Sequence, residues 1–343
     1  MTPRTTRAVL AAMMLTFLLI DADVALARRA GATVDELLDL NVKPFAIGHR
    51  GFGENLGEDP DPSLPIENTL RSVRRAFRSG ISVVEIDVQV TSDHEVVVFH
   101  DDFFSEDVAA PPTCLNTLTR AELHERLPYV PTLREALDEA KRFNTRPGPI
   151  SGLVIIELKA PAPLCDPDDS QERAIVAAVT RVVRDADMSE QVMFTSFSPA
   201  LLLIASHRAP EITRILSLNG LQFLTAKQIF DRYHLDVTLI DKQRNLGLQW
   251  AEIDVIFRLP GYRSVAEVLS TAAVIGVRIV EADLRFLESA GAPFVDTLHA
   301  LGLKVIGFTA TSPEDWLFLE SLGLDGIYTD DVPFGVAHQA PIP

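Results

Sequence analysis

The chain has 343 residues, of which 47% are hydrophobic and 23% charged. Those proportions suit one large globular domain or two medium ones, and they exclude a disordered chain, a fibre or a disulfide miniprotein as the main state. Lys and Arg number 31 against 48 Asp and Glu, a formal net charge of −17; a field of that sign repels phosphate backbones and anionic lipids, so no nucleic-acid partner is expected and an anionic substrate must be met by local cations or a metal.

The N-terminus reads as a secretory signal peptide over residues 1–27. Arg4 and Arg7 precede an apolar run from Ala8 to Ile20, and Ala25-Leu26-Ala27 forms a small-residue cleavage site. Asp21 and Asp23 end the run short of the roughly 20 apolar residues a spanning helix needs. The expectation is export to the periplasm or the exterior, cleavage after Ala27 and no stable membrane insertion afterwards. An uncleaved N-terminal anchor and a buried first helix are the alternatives. Residues 28–43 read as a lead-in segment, 44–337 as the folded domain and 338–343 as a tail. The two cysteines, Cys114 and Cys165, both lie in Pro-rich, loop-like stretches. In an oxidising compartment they form either one bridge or two free thiols, and the loop setting favours the bridge.

Short apolar runs then alternate with amphipathic stretches. Phe45 to Gly48 is a predicted strand, and Asn68 or Thr69 caps a helix with Leu70, Val73 and Phe77 on one face. Ser82 to Val90 and Glu95 to Phe99 are extended runs joined by a Thr91-Ser92-Asp93 turn. Thr132 opens a helix, with Glu135 at the capping-box position. Leu153 to Leu158 is a strand, Gln171 to Asp185 a helix and Gln191 to Thr195 a strand. Ser198-Pro199 starts the next helix. Thr213 to Leu218, Val277 to Glu281, Lys304 to Thr309 and Gly326 to Thr329 complete the strands, with a helix opened by Thr311-Ser312-Pro313 before the last. Residues 221–270 fit this rhythm least; they read as an enlarged crossover or lid with an uncertain strand over Asp236 to Ile240.

Repeated β-α alternation argues for a parallel sheet, and a count near eight units favours a closed (β/α)8 TIM barrel over an open sheet. No dinucleotide fingerprint, P-loop or nucleophile elbow is present. A barrel builds its site from the C-terminal ends of its strands. Those positions carry His49-Arg50, Glu85 and Asp87, His100-Asp101, Glu157 and Lys159, Ser196 and Asp330. Strand side chains alternate, so Glu85 shares a face with Asp87 and Glu157 shares one with Lys159. An isolated acidic pair in a strand is usually a solvated face. Three carboxylates converging inside a barrel need a counter-charge, and an all-oxygen set selects a hard divalent cation, Ca²⁺ or Mg²⁺. The other histidines (His94, His124, His207, His234, His299, His338) read as surface or packing residues, and the acidic run Glu54, Glu58, Asp59, Asp61 as a solvated loop entering near His49.

The ordered motifs Gly48-His49-Arg50-Gly51, Ile66-Glu67-Asn68-Thr69, Val84-Glu85-Ile86-Asp87, Val97-Val98-Phe99-His100-Asp101, Pro131-Thr132-Leu133, Ile156-Glu157-Leu158-Lys159, Thr195-Ser196-Phe197-Ser198-Pro199 and Asp325-Gly326-Ile327-Tyr328-Thr329-Asp330 resemble the glycerophosphodiester phosphodiesterase family, over roughly Pro44 to Pro333. The resemblance implies a barrel of the phosphatidylinositol-phosphodiesterase-like type that hydrolyses glycerophosphodiesters to glycerol 3-phosphate and an alcohol. It implies His49 and His100 as general acid and base, Glu85, Asp87 and Glu157 as ligands of one divalent cation, Arg50 and Lys159 near the phosphate, and Glu67 and Asn68 as support. The chain departs from the family pattern in four places. The segment from His49 to Glu67 is long, Ile66 stands where Pro is usual, Phe308-Thr309 replaces Trp-Thr, and Asp93-His94 replaces Asp-Gly. Rival readings are a related barrel enzyme acting on lysophospholipid or sphingomyelin-type lipids, and a noncatalytic exported binding protein. The sequence leaves open the alcohol, the metal, the nucleophile, which His is the base, and the oligomeric state.

Overall fold

The structure is a computed structural model that describes residues 31–56, 60–104, 113–145, 148–162, 165–168, 170–233, 247–257 and 259–342. The predicted leader and its expected cleavage site, the strand expected over residues 236–240, Glu58, Asp59 and His234 lie outside the described residues.

Nine strands form one sheet: β1 (Phe45–Gly48), β2 (Val83–Val90), β3 (Val96–Val98), β6 (Leu153–Leu158), β7 (Val192–Ser196), β8 (Thr213–Leu218), β9 (Ile279–Asp283), β10 (Lys304–Ala310) and β11 (Gly326–Thr329). Their order is β1-β11-β10-β9-β8-β7-β6-β2-β3, and β1 also pairs with β2. That last pairing closes the sheet. Every barrel pair is parallel, whereas β3 runs antiparallel to β2 outside the ring. The result is a (β/α)8 barrel. A two-stranded ribbon, β4 (Phe103–Phe104) with β5 (Thr113–Cys114), lies in the long β2–β6 connection.

Strand composition accounts for the closure. β2 reads VVEIDVQV and is buried throughout, as a β-branched strand covered on both faces should be. Its period of two sends Val84, Ile86 and Val88 outward under the helices and Val83, Glu85 and Asp87 inward. The same phase recurs around the ring. Ile47, Val83, Leu153, Ile155, Met193, Ile215, Ile279 and Ile306 fill the N-terminal half of the interior. The helix Val34–Asp39 of the lead-in closes that end by adding Val34, Leu37 and Leu38 to the same cluster. The Val34 N–H donates to Glu190 O at 2.8 Å.

Helix starts follow the predicted signals. Thr132 and Glu135 form a capping box, and Ser198 and Ser312 cap helices with Pro at the first position. Thr69, one of the two proposed caps, is the residue that caps Leu70–Arg78. β9 runs two residues later than predicted, because Val277 closes the preceding helix turn by donating to Ala272 O. The β8–β9 connection is enlarged as expected. It carries helices Ala226–Tyr233, Trp250–Phe257 and Val265–Ile275, the first two packed through Ala226, Ile229 and Ile253. Cys114 and Cys165 are bridged, which ties the ribbon to the loop after β6. Among the described residues no helix is long and apolar enough to cross a membrane. The tail is tied to β1: Ala46 N–H donates to Gln339 Oε1 at 3.1 Å, and Ala340 N–H to Pro44 O at 3.1 Å.

Candidate active site

The inward phase that is apolar at one end of the barrel turns polar at the other. Beyond Val83 it reads Glu85 and Asp87, beyond Ile155 it reads Glu157 and Lys159, and beyond Met193 it reads Thr195. Ser217 follows Ile215, and Glu281 follows Ile279. The parallel register pairs Asp87 with Glu157 and Glu157 with Thr195, so residues far apart in sequence become neighbours. They open on a cavity of about 270 Å³ lined by His49, Arg50, Glu85, Asp87, His100, Glu157 and Lys159. Every residue predicted to be catalytic, metal-ligating or phosphate-binding therefore lines one cavity.

The carboxylates of Glu85, Asp87 and Glu157 each offer an oxygen within 4.8 Å of the other two. Glu85 Oε2 accepts the Arg50 backbone N–H at 3.0 Å, but Oε1 is buried and has no hydrogen-bond partner among the described residues. A buried acidic oxygen without a donor is costly. A hard divalent cation beside it would supply the missing countercharge, so this donor set fits one. Burial and proximity pull the three carboxyls in different directions. Burial, with Asp87 and Glu157 close by, pushes the Glu85 carboxyl well above the usual range. Burial also raises Glu157, to about 8, with Lys159 opposing it. Asp87 is driven the other way: burial disfavours its charge, but Lys159, His100 and Arg50 outweigh that and hold it well below the usual range.

The two cations expected near a phosphate are held by these acids. Lys159 Nζ lies 3.1 Å from Asp87 Oδ1 and 3.0 Å from Glu157 Oε1. Arg50 Nη1 pairs with Glu67 Oε1 at 2.5 Å, and its buried Nε faces Asp87 Oδ2 at 3.6 Å. Glu67 and Asn68 stand behind the cavity, as support. Glu67 Oε2 accepts the Asn55 N–H at 2.8 Å. Asn68 bonds Asp87 twice, donating from Nδ2 to Oδ2 at 2.8 Å and accepting the Asp87 N–H at 3.1 Å. Asn68 does so from φ 54°, a left-handed conformation that Asn tolerates better than most residues.

Both imidazoles are oriented through Nδ1. His49 Nδ1 meets Asp330 Oδ1 at 2.8 Å, and His100 Nδ1 meets Asp101 Oδ1 at 2.7 Å. Gly53 brings the loop after β1 against Asp330; at φ 101° a Cβ there would lie 2.3 Å from Asp330 O, so only glycine fits. The His100 segment is held from β2 by Gln89, whose Nε2 donates to His100 O at 3.3 Å and to Asp102 Oδ1 at 3.0 Å.

Three features escaped the sequence reading. Asp330 was placed at a strand end but given no partner. Gln89 lies in the predicted strand Ser82 to Val90 without a role. Glu281 is the third: it is buried in the cavity floor, where Thr195 Oγ1 and Ser217 Oγ donate to Oε1 at 2.7 Å each, and Tyr328 OH donates to Oε2 at 2.6 Å. The available signal was phase, since Glu281 follows Ile279 by two in an interior-facing strand. Glu54 of the acidic run also lines the cavity, and its N–H donates to Asp330 Oδ1 at 2.9 Å. Phe197, Phe308 and Tyr328 form an edge-on aromatic wall, so the departure at Phe308 falls inside the site. The departure at Asp93-His94 is conformational: His94 adopts φ 63°, the region for which glycine is usual. His299 serves packing, through Asp325 Oδ2 at 2.8 Å.

A glycerophosphodiester phosphodiesterase of Arabidopsis thaliana is 40% identical over 88 residues, which is 25% of this chain and 23% of that protein. A glycerophosphocholine phosphodiesterase of Candida albicans is 46% identical over 77 residues, 22% of this chain and 6% of that protein. The matched stretch thus spans about a quarter or less of these curated relatives. Among solved structures, a glycerophosphoryl diester phosphodiesterase from Silicibacter pomeroyi superposes with TM-score 0.62 at 21% identity, over 86% of this chain and 92% of that one. A phosphodiesterase of Oleispira antarctica, solved with its product sn-glycerol-3-phosphate, gives 0.58 at 22% identity over 88% and 97%. At those identities the likeness speaks to the fold. The model of the glycerophosphoryl diester phosphodiesterase family matches residues 49–333, and the chain belongs to that family.

Proposed function

We propose that the protein hydrolyses glycerophosphodiesters to glycerol 3-phosphate and an alcohol, with His49 and His100 exchanging the protons and Glu85, Asp87 and Glu157 holding one divalent cation. The observation that carries this reading is the single cavity on which both imidazoles, all three acids, Arg50 and Lys159 converge. With Nδ1 of each ring engaged by an aspartate, Nε2 is the nitrogen left to face a substrate. One ring takes a proton from the attacking oxygen while the other gives one to the leaving oxygen. Arg50 and Lys159 are the cations a phosphoryl anion meets. A bound cation would add Lewis-acid neutralisation of phosphoryl charge, and Ca²⁺ and Mg²⁺ both suit the oxygen set. Export to an oxidising compartment is part of the same proposal, supported by the leader pattern and by the Cys114–Cys165 bridge.

The test is release of glycerol 3-phosphate from glycerophosphocholine by the metal-loaded protein and by His49→Ala and His100→Ala. Each substitution should lower kcat by about 10²-fold or more, and chelation should abolish turnover until Ca²⁺ or Mg²⁺ is restored. Near-normal turnover in either variant overturns the assignment. Preferential turnover of lysophosphatidylcholine would favour the lipid-directed rival, and metal binding without turnover of any diester the noncatalytic one.

A further inference from the structure

We propose that a second cavity, on the flank of the barrel beside the catalytic one, binds a small anion of the phosphate or carboxylate class. It has a volume of about 350 Å³ and lies between the start of helix Leu70–Arg78 and the segment from Arg120 to Pro131. Its apolar wall includes Leu70 and the half-buried Tyr129. Its lining also holds Arg71, Arg120, His124 and one acid, Glu135.

In a chain of net charge −17, a hollow with more cations than acids stands out from its surroundings. Glu135 brings one negative charge against two guanidiniums, and its Oε2 already accepts from the Thr132 N–H at 2.8 Å and from Thr132 Oγ1 at 3.0 Å, so among the described residues it makes no ion pair with either arginine. Arg120 donates from Nη2 to Val130 O at 3.0 Å, while its Nη1 is buried with no hydrogen-bond partner among the described residues. Arg71 is exposed and makes no ion pair among the described residues. Two guanidiniums are thus left without carboxylates, and guanidinium is the side chain whose geometry best suits phosphate or carboxylate oxygens.

The cavity lies close to residues that support the catalytic one. Tyr129 lines it, and burial together with the charges of Glu67 and Asp101 raises the Tyr129 hydroxyl above its ordinary pKa. Those two acids hold Arg50 and His100. The anion has two possible sources: a free anion such as inorganic phosphate, or an acidic group carried by the alcohol end of the substrate. The second source rests on the phosphodiesterase reading; the first does not.

Arg71→Glu separates them, since Arg71 is outside the catalytic machinery and its exposure should leave the melting temperature unchanged. Inorganic phosphate titrated calorimetrically into the metal-loaded protein should fill one site more in the wild type than in Arg71→Glu if the free anion is the ligand. If the alcohol end is the ligand, Arg71→Glu should raise KM by about 5- to 30-fold for glycerophosphoinositol 4-phosphate and leave KM for the uncharged-alcohol diester glycerophosphoglycerol unchanged. Phosphate stoichiometry and both KM values unmoved by Arg71→Glu overturn the proposal. Should no diester be turned over at all, the phosphodiesterase reading fails, and the phosphate titration alone still decides the anion site.

Discussion

Replacing Asp330 by asparagine preserves the side-chain shape and removes the charge that faces His49. Asp330 Oδ1 accepts from both His49 Nδ1 at 2.8 Å and the Glu54 N–H at 2.9 Å. Burial disfavours the Asp330 charge, but the bond to His49 wins and holds the carboxyl below its ordinary range. A hydrogen bond to a charged group contributes about 1.5–3 kcal/mol. If that support is felt mainly when the ring carries its extra proton in the transition state, Asp330→Asn lowers kcat about 10- to 150-fold, at about 1.4 kcal/mol per decade. Asp330 does not line the cavity, so KM should move little. Steady-state release of glycerol 3-phosphate measures both constants. A double-mutant cycle sharpens the assay: in a His49→Ala background, Asp330→Asn should cost almost nothing more, because its partner is gone. A loss of the same size in both backgrounds would refute the idea that Asp330 acts through His49.

Glu85→Gln should weaken divalent-cation binding by more than about tenfold by calorimetry, since the orphaned Oε1 loses its charge; unchanged affinity would exclude Glu85 as a ligand. Breaking the bridge with Cys114→Ser should destabilise the protein by about 2–4 kcal/mol in urea, the range expected for closing a loop of 51 residues. A change in midpoint too small to resolve would show that the ribbon contributes little to the cooperative fold. Asp325 accepts the Val305 N–H at 2.8 Å and pairs with His299 and Lys304. Burial opposes its ionisation, but these donors hold its carboxyl below the ordinary range. A depressed folded pKa means its stabilisation is complete above the unfolded value of about 3.9 and is lost as pH falls through the folded one. Wild type should therefore lose stability across that acid window more steeply than Asp325→Asn, whose stability at neutral pH should be lower by about 1–3 kcal/mol. Parallel acid profiles for the two proteins would count against this account.

Much of the protein was decided locally. β-Branched runs such as Val83–Val90 favour a buried strand, and Ser or Thr ahead of an apolar periodic stretch favours a helix start. The alternation of such units, and the in-phase Glu85–Asp87 and Glu157–Lys159 pairs, made the barrel and the core of its site readable from the chain alone. What only the closed structure decided is which atoms face each other across it. That Asp87 sits beside Glu157, that Asp330 reaches back to His49, and that Glu281 collects three hydroxyls from three other strands follow from register and ring closure. These are contacts between residues tens to hundreds of positions apart, and no local preference encodes them. A charge inside a barrel is defined by its neighbours on the ring, and those are assembled only when β1 meets β2 and β11.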